Sequence, residues 1–359
     1  MQVLIVGCGL SGAMFAYFEK LKGNNVILVE KESEIGGLCR TDGVSGCVVH
    51  THGPHVFHTS REDINEFMRS ICEMEDFAIR VKAKNSGELY DFPININTIR
   101  KLGIKDHHEY FKRLPFVGNE TFEECAISTV GNVIYDTFYK DYTRKQWGAE
   151  PSKLPASIFT RIPIYFDDSR RYYRDKYSFV PKQGWSYFIN KLIANVDTMM
   201  KGEEVTLSDI MNFDGKVIYT GRLDELFDYC FGELAFRSVM HTFSYIDEDP
   251  CLFKDADIIN LCDMSGGYTR KFCHNNLRQN KDIGMKIYSE EYSCDSSKSS
   301  APPAYPIETK ENLEKQNQYL EKLSEINQKG VNVIAFGRLA LYKYMNMNEI
   351  VEAIYDMYH

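Results

Sequence analysis

Three glycines near the start of the chain have a spacing that suits phosphate binding. Gly7, Gly9 and Gly12 follow the apolar run 3–6 and precede a segment, 13–22, with the composition of a helix. Such glycines let the backbone approach a pyrophosphate, and the N-terminus of the helix supplies free N–H groups and a partial positive charge. The motif therefore predicts a dinucleotide-binding turn between a strand and a helix.

An acidic residue and a second glycine pair indicate which dinucleotide binds. Glu30 ends the next apolar run, 26–29, where its carboxylate can accept hydrogen bonds from an adenosine ribose. Gly36 and Gly37 follow, and they allow a second close approach of the backbone to the ligand. An acid followed by a glycine pair is common in FAD-dependent oxidoreductases and their relatives. We therefore expect FAD rather than a nicotinamide dinucleotide.

Four histidines lie close together in the run HTHGPHVFH, residues 50–58. A metal site is one interpretation, but an extended strand would turn some of these imidazoles to opposite faces, and no carboxylate or thiolate shares the run. We expect no metal. We interpret the run as a segment that passes the isoalloxazine ring, with the Gly53 backbone close to the flavin and His55 facing it.

Aromatic residues in the middle of the chain could bind a nucleotide base. Phe138, Tyr142 and Trp147 surround Arg144 and Lys145, and aromatic faces can stack a base. Each of these rings could equally pack in a hydrophobic core. A base pocket is therefore one of two interpretations of this segment.

Several separated arginines stand beside tyrosines and could hold a diphosphate. The planar guanidinium fork suits phosphate oxygens, and the phenols of Tyr305 and Tyr344 could donate to the same group. The arginines are Arg161, Arg170, Arg171, Arg270 and Arg338. A surface salt bridge is the alternative for each arginine taken alone.

Composition limits the classes of ligand. The formal net charge of −9 over 359 residues argues against general binding of nucleic acid or of anionic membranes, so an anionic ligand needs a local basic pocket. No run approaches the ~18 apolar residues of a membrane-spanning helix. The ten cysteines include no CxxC pair, which favours free thiols. Because the chain begins directly with the predicted cofactor strand, we expect no signal peptide and a cytoplasmic location.

The pattern of apolar runs predicts an α/β fold with a Rossmann-like FAD-binding domain, an inserted helical domain and an antiparallel β-sheet domain. Helical periodicity follows Ser60, a strand is expected at 216–221, and alternation over 236–292 indicates antiparallel strands. The expected domains are 1–66 with 182–230 and 325–359 for FAD, 67–147 for the helices, and 148–181 with 231–324 for the substrate.

The chain resembles the UDP-galactopyranose mutases over nearly its whole length. The resemblance rests on the runs GCGLSGA, VEKESEIGG, GPHVFHT, YTRKQWG, RIPIYF, IYTGRLDELFDYCFGELAFRS and FGRLALYKYMNM. KQWG followed by RIP, with a late GRLA, is specific to that family, and ordinary flavin oxidases lack this combination.

The resemblance implies three sets of site residues and a lid over the substrate near 168–176. The catalytic set is Arg161, Arg270 and His55. The FAD-binding set is Gly7, Gly9, Ser11, Gly12, Glu30, Lys31, Gly37, Leu38, Gly53, His55, Val56, Val205, Gly221, Arg338, Met345, Asn346 and Met347. The substrate-binding set is Phe138, Tyr142, Thr143, Trp147, Arg161, Tyr172, Asn260, Arg270, Tyr305 and Tyr344.

The resemblance also implies a reaction. Such an enzyme interconverts the pyranose and furanose forms of a nucleotide-diphosphate sugar, with N5 of the reduced flavin as nucleophile and no net redox change. NAD(P)H or another reductant is then needed to reduce the flavin. A homodimer and a role in cell-surface polysaccharide synthesis are implied as well.

Some positions differ from the family pattern and leave the substrate open. Asn346 stands where an aspartate is usual, Pro54 replaces a small residue before His55, and Tyr165 stands where a second arginine is common. The run FAIRVK, near 78–80, lacks the usual asparagine. UDP-galactose, or a dTDP- or GDP-linked, 6-deoxy, N-acetylated or heptose sugar, fits this pattern.

Two other classes of protein share part of the pattern. A flavin amine oxidase or desaturase would have the same N-terminal motif, and a non-catalytic flavin- or nucleotide-binding protein would have it too. Arg161 and Arg270, together with Trp147, are the discriminating feature, because an amine oxidase has no use for them.

Overall fold

The computed structural model describes residues 1–104, 120–160, 163–245, 252–277, 280 and 284–359. Its strands are β1 Gln2–Val6, β2 Asn25–Glu30, β3 Thr41–Val44, β4 Cys47–His50, β5 Phe57–Thr59, β6 Met74–Asp76, β7 Val81–Asn85, β8 Glu88–Phe92, β9 Tyr177–Pro181, β10 Thr198–Lys201, β11 Lys216–Tyr219, β12 Phe236–Ser244, β13 Ile258–Leu261, β14 Arg270–Cys273, β15 Tyr288–Asp295, β16 Pro303–Pro306 and β17 Asn332–Ala335.

The helices connect and cover these strands. They are α1 Leu10–Leu21, α2 Glu62–Ile71, α3 Ile96–Lys101, α4 Phe122–Ile134, α5 Lys140–Trp147, α6 Trp185–Leu192, α7 Leu207–Asn212, α8 Leu223–Leu226, α9 Lys310–Gln328 and α10 Met347–Tyr358. None of these helices is both long enough and apolar enough to span a membrane.

The first sheet is the parallel sheet that the glycine motif predicts. Its order is β10–β2–β1–β11–β17, and all of its pairings are parallel. Val3, Ile5 and Val26 are fully buried, because a parallel sheet is covered by helices on both faces. The predicted Rossmann-like fold is confirmed.

The second sheet carries most of the site residues. Its order is β16–β12–β15–β14–β13–β7–β8, and it is antiparallel except where β13 pairs with β7. The alternation over 236–292 therefore predicts the sheet type correctly. The helical domain expected over 67–147 is wrong at its beginning, because 81–92 form the hairpin β7–β8. Ser86 and Gly87 have positive φ, as a tight hairpin turn requires, and the two lysines of the short strand β7 give a weak strand pattern.

A kinked helical segment leads into the site. Gly131 has non-helical dihedrals (φ 75°, ψ 166°) inside α4, and a π-helical turn over Tyr135–Tyr139 separates α4 from α5. Such a turn carries more residues than an α-helical one, so it rotates the residues that follow it relative to those before it. The helix expected after Ser60 is α2, which begins at Glu62, and the Ser60 hydroxyl donates to Asp175 (2.9 Å).

A buried ion pair lies where the chain passes from one sheet to the other. Arg222 and Asp224, at the start of α8, are 7% and 0% exposed. Asp224 accepts hydrogen bonds from the Arg222 side chain (Nε to Oδ1, 3.0 Å) and from the Leu234 N–H (2.8 Å), and Arg222 also donates to the Leu234 carbonyl (3.2 Å). The pair thus fixes the segment that enters β12.

Removal of this carboxylate should destabilise the protein strongly. We expect Asp224→Ala to lower the free energy of unfolding by about 3–5 kcal/mol, because the buried Arg222 keeps only longer contacts, with Glu225 and Glu233 at 3.5 Å each, and the Leu234 N–H loses its acceptor. Urea denaturation followed by circular dichroism measures the change. As a control, Glu311→Ala removes an exposed partner of Lys315 on α9 and should leave the unfolding curve unchanged. An unchanged curve for Asp224→Ala would contradict this interpretation.

Candidate functional site

The glycine loop forms a cradle of bare backbone at the N-terminus of α1. Gly9 is the N-cap, no side chain caps the helix, and no acid occupies its first turn. A Cβ on Gly12 would lie 1.9 Å from the Gly7 carbonyl oxygen, so only glycine allows this contact. A Cβ on Gly37 would lie 3.3 Å from the Gly9 Cα. The two glycine loops therefore meet, and together they fit the pyrophosphate of a dinucleotide.

Glu30 lies at the end of β2, beside this cradle. Its carboxylate accepts hydrogen bonds from the N–H groups of Cys8 (2.7 Å) and Glu32 (3.0 Å). It is thus fixed in position beside the first glycine loop, at the place where the sequence predicts the ribose contact.

Other members of the predicted FAD-binding set surround the cradle less closely. A Cβ on Gly337 would lie 2.8 Å from the Ser11 Oγ, which places Ser11 against the turn after β17. Gly221 follows β11, and Val205 packs at the edge of the core under β2 and β11. Lys31 points to solvent and pairs with Glu225 (3.4 Å), so the structure gives it no place in the cradle.

A cavity of about 1110 Å³ lies between the second sheet, α5 and the segment 52–58. It brings together residues from both predicted binding sets. From the FAD-binding set it is lined by Leu38, Gly53, His55, Val56, Arg338, Asn346 and Met347, and from the substrate set by Tyr142, Trp147, Tyr172, Asn260, Arg270, Tyr305 and Tyr344. One of these residues, Asn346, accepts a hydrogen bond from the Tyr344 hydroxyl (3.1 Å).

Some predicted residues are not part of the cavity wall. Phe138 is 2% exposed and packs edge-on against Tyr90 at 5.1 Å, which is the core role that the sequence left open. Thr143 is 3% exposed and, like Met345, does not line the cavity in the described part of the chain. Arg161 lies outside the described residues.

Arg270 is the central cation of the cavity. It begins β14, where the sheet register places it beside Glu291 on β15 and Asn260 on β13. Its Nε lies 2.7 Å from Glu291 Oε2. Burial opposes the charge on Arg270, but Glu291 and the nearby phenols of Tyr142 and Tyr305 outweigh it and raise its pKa well above the usual value. Arg270 is therefore a permanent cation.

Glu291 was not predicted from the sequence, although it is the partner of this arginine. Burial raises the pKa of a carboxyl group, but Arg270 and His241 overcome this effect, so the pKa of Glu291 lies below its usual value. The alternation along β15 turns Glu291 inward, beside β14. That alternation was a usable signal, since an inward-facing acid needs a buried cation as its partner.

Aromatic rings and a second guanidinium form one wall of the cavity. The rings of Tyr305 and Tyr344 stack 5.7 Å apart, and the edge of Trp147 meets Tyr305 at 5.9 Å. Arg338 lies 4.7 Å from the centre of the Tyr344 ring and donates to the carbonyls of Ala304 (2.9 Å) and Met345 (2.8 Å). Arg338 therefore holds this wall in place.

The segment expected as a lid borders the cavity. Tyr172, Tyr173 and Asp175 contribute to its lining. Asp175 accepts a hydrogen bond from the Nδ1 of His58 (2.7 Å), and the ring of Tyr173 stacks on His58 at 3.7 Å. The sequence analysis missed both His58 and Tyr173 as site residues. Arg170, in contrast, pairs with Asp91.

Two buried histidines support the loop that carries His55. The His55 N–H donates to the Nδ1 of His50 (3.0 Å), and the His50 N–H donates to the Nδ1 of His274 (3.3 Å). Both acceptor nitrogens need a lone pair, so both imidazoles are neutral. Burial lowers the pKa of His50 and of His274 to about 3.

Comparison with known proteins points to one family. A family profile described as UDP-galactopyranose mutase matches residues 137–344, and one described as an NAD(P)-binding Rossmann-like domain matches residues 5–71. A dTDP-fucopyranose mutase from Escherichia coli is 29% identical over 98% of this chain and 96% of its own length. A probable UDP-galactopyranose mutase from Klebsiella pneumoniae is also 29% identical, over 98% of this chain and 93% of its own.

A solved structure has the same fold. The crystal structure of a reduced UDP-galactopyranose mutase superposes with a TM-score of 0.76 and 15% identity, over 99% of this chain and 93% of the other. At this identity the superposition shows the fold alone.

Because His50 and His274 are neutral in the folded protein, its free energy of unfolding should depend on pH. Their pKa values rise from about 3 in the folded protein to 6.5 in the unfolded chain, so between these values only the unfolded chain binds the protons. The free energy of unfolding should therefore fall as the pH falls below 6.5, by about 1.4 kcal/mol per pH unit for each histidine.

Urea denaturation between about pH 6 and pH 4.5 measures this slope. His274→Asn should reduce the slope by the contribution of one histidine. His359→Asn, at an exposed position, is the control and should leave it unchanged. Equal slopes for the wild type and His274→Asn would show that His274 is not held neutral.

Proposed function

The chain belongs to the UDP-galactopyranose mutase family, and we propose that it interconverts the pyranose and furanose forms of a nucleotide-diphosphate sugar. One observation carries the proposal. A buried cation, Arg270, lines the same cavity as the aromatic residues Tyr142, Trp147, Tyr305 and Tyr344. This arrangement suits a nucleoside diphosphate, because the cation meets the phosphates and the rings can cover a base or a sugar face.

We propose FAD as the cofactor of this reaction. The bare N-terminus of α1 and the paired glycine loops would hold its pyrophosphate, Glu30 its ribose, and the segment around Gly53 and His55 would face its ring system. When it is bound and reduced, the flavin supplies a nucleophilic nitrogen for the anomeric carbon without being consumed. The reductant is then an NAD(P)H-type or other donor that is needed only to keep the flavin reduced.

The residues of the chain would bind and orient the nucleotide sugar and stabilise the charge that develops on its diphosphate. Arg270 would hold the diphosphate and stabilise the negative charge that grows on it as its bond to the sugar breaks. Tyr305 would donate a hydrogen bond to the same phosphates, and Tyr344 would do so once its hydroxyl leaves Asn346. A substrate that fills the cavity would displace water from it, and charges attract more strongly where water is excluded.

The positive charge of Arg270 also argues against the alternative function, that of a flavin amine oxidase. The substrate of an amine oxidase is an amine, which is protonated and positively charged in neutral water. Arg270 would repel it. The same cation attracts a nucleotide diphosphate. This difference favours the mutase.

The identities to the two curated relatives do not decide between their substrates, because both are 29%. We propose a UDP- or dTDP-linked galactose or 6-deoxygalactose as the substrate class.

We also propose the three-part domain division, with 81–92 moved to the sheet domain. The homodimer, the cytoplasmic location and the role in polysaccharide synthesis stay predictions.

Substitution of the central arginine tests the diphosphate contact. We expect Arg270→Lys to lower turnover by about 10²–10³-fold, because lysine keeps the charge but loses the planar fork that contacts the leaving group. Turnover is measured by chromatography of the two sugar forms, and the flavin absorbance reports FAD binding, which should not change. Arg80→Lys is the matched control, since Arg80 pairs with Asp257 outside the cavity. Normal turnover in Arg270→Lys would refute the assignment.

The redox state of the flavin tests the proposed chemistry. The dithionite-reduced enzyme should interconvert the two sugar forms, and the oxidised enzyme should be inactive, since only the reduced ring carries a nucleophilic nitrogen. Consumption of O₂ or NAD(P)H in proportion to product would instead indicate an oxidoreductase. Equal rates in both redox states would also rule out this mechanism.

A further inference from the structure

Two buried polar atoms face each other in the cavity without a hydrogen-bond partner. His241 on β12 and Glu291 on β15 are direct neighbours in the sheet register and both line the cavity. Their side chains are 4% and 3% exposed. The His241 Nε2 lies 3.8 Å from the Glu291 Oε1, which is too far for a hydrogen bond, and within the described part of the chain neither atom has another partner.

The space beside these atoms is kept open by a glycine. Gly53 has a φ of +92°, and a Cβ at this position would lie 2.8 Å from the Glu291 Oε1 and 3.5 Å from the His241 Nε2. The other oxygen of Glu291 already lies 2.7 Å from the Nε of Arg270. The nearby ring of His52, at 6.2 Å from that of His241, meets it edge-on. A side chain at position 53 would therefore cover both unpaired atoms, whose residues line the cavity.

Buried polar atoms are nearly always paired in folded proteins, so two facing orphans indicate a missing polar group. An oxygen atom about 2.8 Å from each of them fits a separation of 3.8 Å between the two. A hydroxyl group has the required chemistry. Its oxygen can accept a hydrogen bond from the imidazole N–H, and its proton can be donated to the carboxylate.

We propose that His241 and Glu291 together bind one hydroxyl group of the sugar. This inference rests on the proposed function and adds a contact for the sugar beside the diphosphate contact at Arg270. Glu291 is shared, since one of its oxygens pairs with Arg270 and the other receives the hydroxyl. The same carboxylate thus fixes the sugar relative to its phosphates.

Binding measurements on the oxidised FAD-loaded protein test this site without turnover. UDP-galactose and dTDP-fucose are compared with UDP and dTDP by isothermal titration. His241→Phe removes the donor but keeps a ring of similar size, so we expect the affinity for the better-bound nucleotide sugar to fall about tenfold or more. The affinity for the matching nucleoside diphosphate should not change.

Two variants guard against a merely structural effect. His241→Gln keeps an N–H donor and should restore most of the affinity for the sugar. Met240→Leu changes the exposed neighbour on the same strand and should have no effect. Equal losses for the sugar and for the nucleoside diphosphate, or no loss in His241→Phe, would overturn the proposal. A changed flavin spectrum with unchanged sugar affinity would overturn it too, since the pair would then serve the flavin.

Deoxy analogues of the better-bound nucleotide sugar identify the hydroxyl. For the wild type, the analogue that lacks the bound hydroxyl should lose about tenfold in affinity. For His241→Phe, this analogue and the parent sugar should bind equally. The proposed function can fail independently of this site. A protein that binds the sugar through His241 but does not isomerise it would refute the mutase function and still support the hydroxyl site.

Discussion

The ion pair between Arg270 and Glu291 is the interaction on which the site depends. Arg270 is a buried cation in an acidic chain, and an isolated buried cation is strongly unfavourable. Neighbouring positions on β14 and β15 solve this problem, because the sheet register brings the two side chains together before any ligand arrives. Glu291 contacts the Arg270 side chain at its Nε, and Arg270 still lines the wall of the cavity.

Two buried histidines near this pair, His50 and His274, are uncharged and add no further charge beside it. The pKa values of His50 and His274 lie at about 3, which leaves both uncharged at neutral pH. Their nitrogens are used instead as hydrogen-bond acceptors that hold the loop carrying Gly53 and His55. Neutral imidazoles provide rigidity without adding charge.

The sequence predicts the cofactor half of the molecule better than the substrate half. The glycine spacing, the buried strand runs and Glu30 lie within one short segment, so local pattern and final geometry agree. Phe138 and Tyr142 are four residues apart and should share a helical face, but the π-helical turn 135–139 changes the phase. Phe138 therefore faces the core while Tyr142 lines the cavity. Helical spacing alone cannot reveal such a turn.

His241 and Glu291 show a second limit of sequence reasoning. Alternation tells which residues of a strand share a face, but the pairing of two strands far apart in sequence follows from the fold. His241 and Glu291 are neighbours only because β12 and β15 pair in one register, and a shift of β12 by one residue would turn His241 to the opposite face of the sheet. Nothing local to either strand specifies this register.

The wall of the cavity is assembled from elements that meet only in the complete fold. Trp147 ends α5, Tyr305 lies on β16, and Arg338 and Tyr344 follow β17 of the parallel sheet. The rings contact one another in sequence, edge-on between Trp147 and Tyr305 and stacked between Tyr305 and Tyr344, and Arg338 holds the backbone of Ala304 to that of Met345. Packing of the two sheets against each other therefore brings the ring of Tyr305 beside that of Tyr344 and completes this wall of the cavity. Displacement of one sheet against the other would separate the ring of Tyr305, on β16, from that of Tyr344, which follows β17.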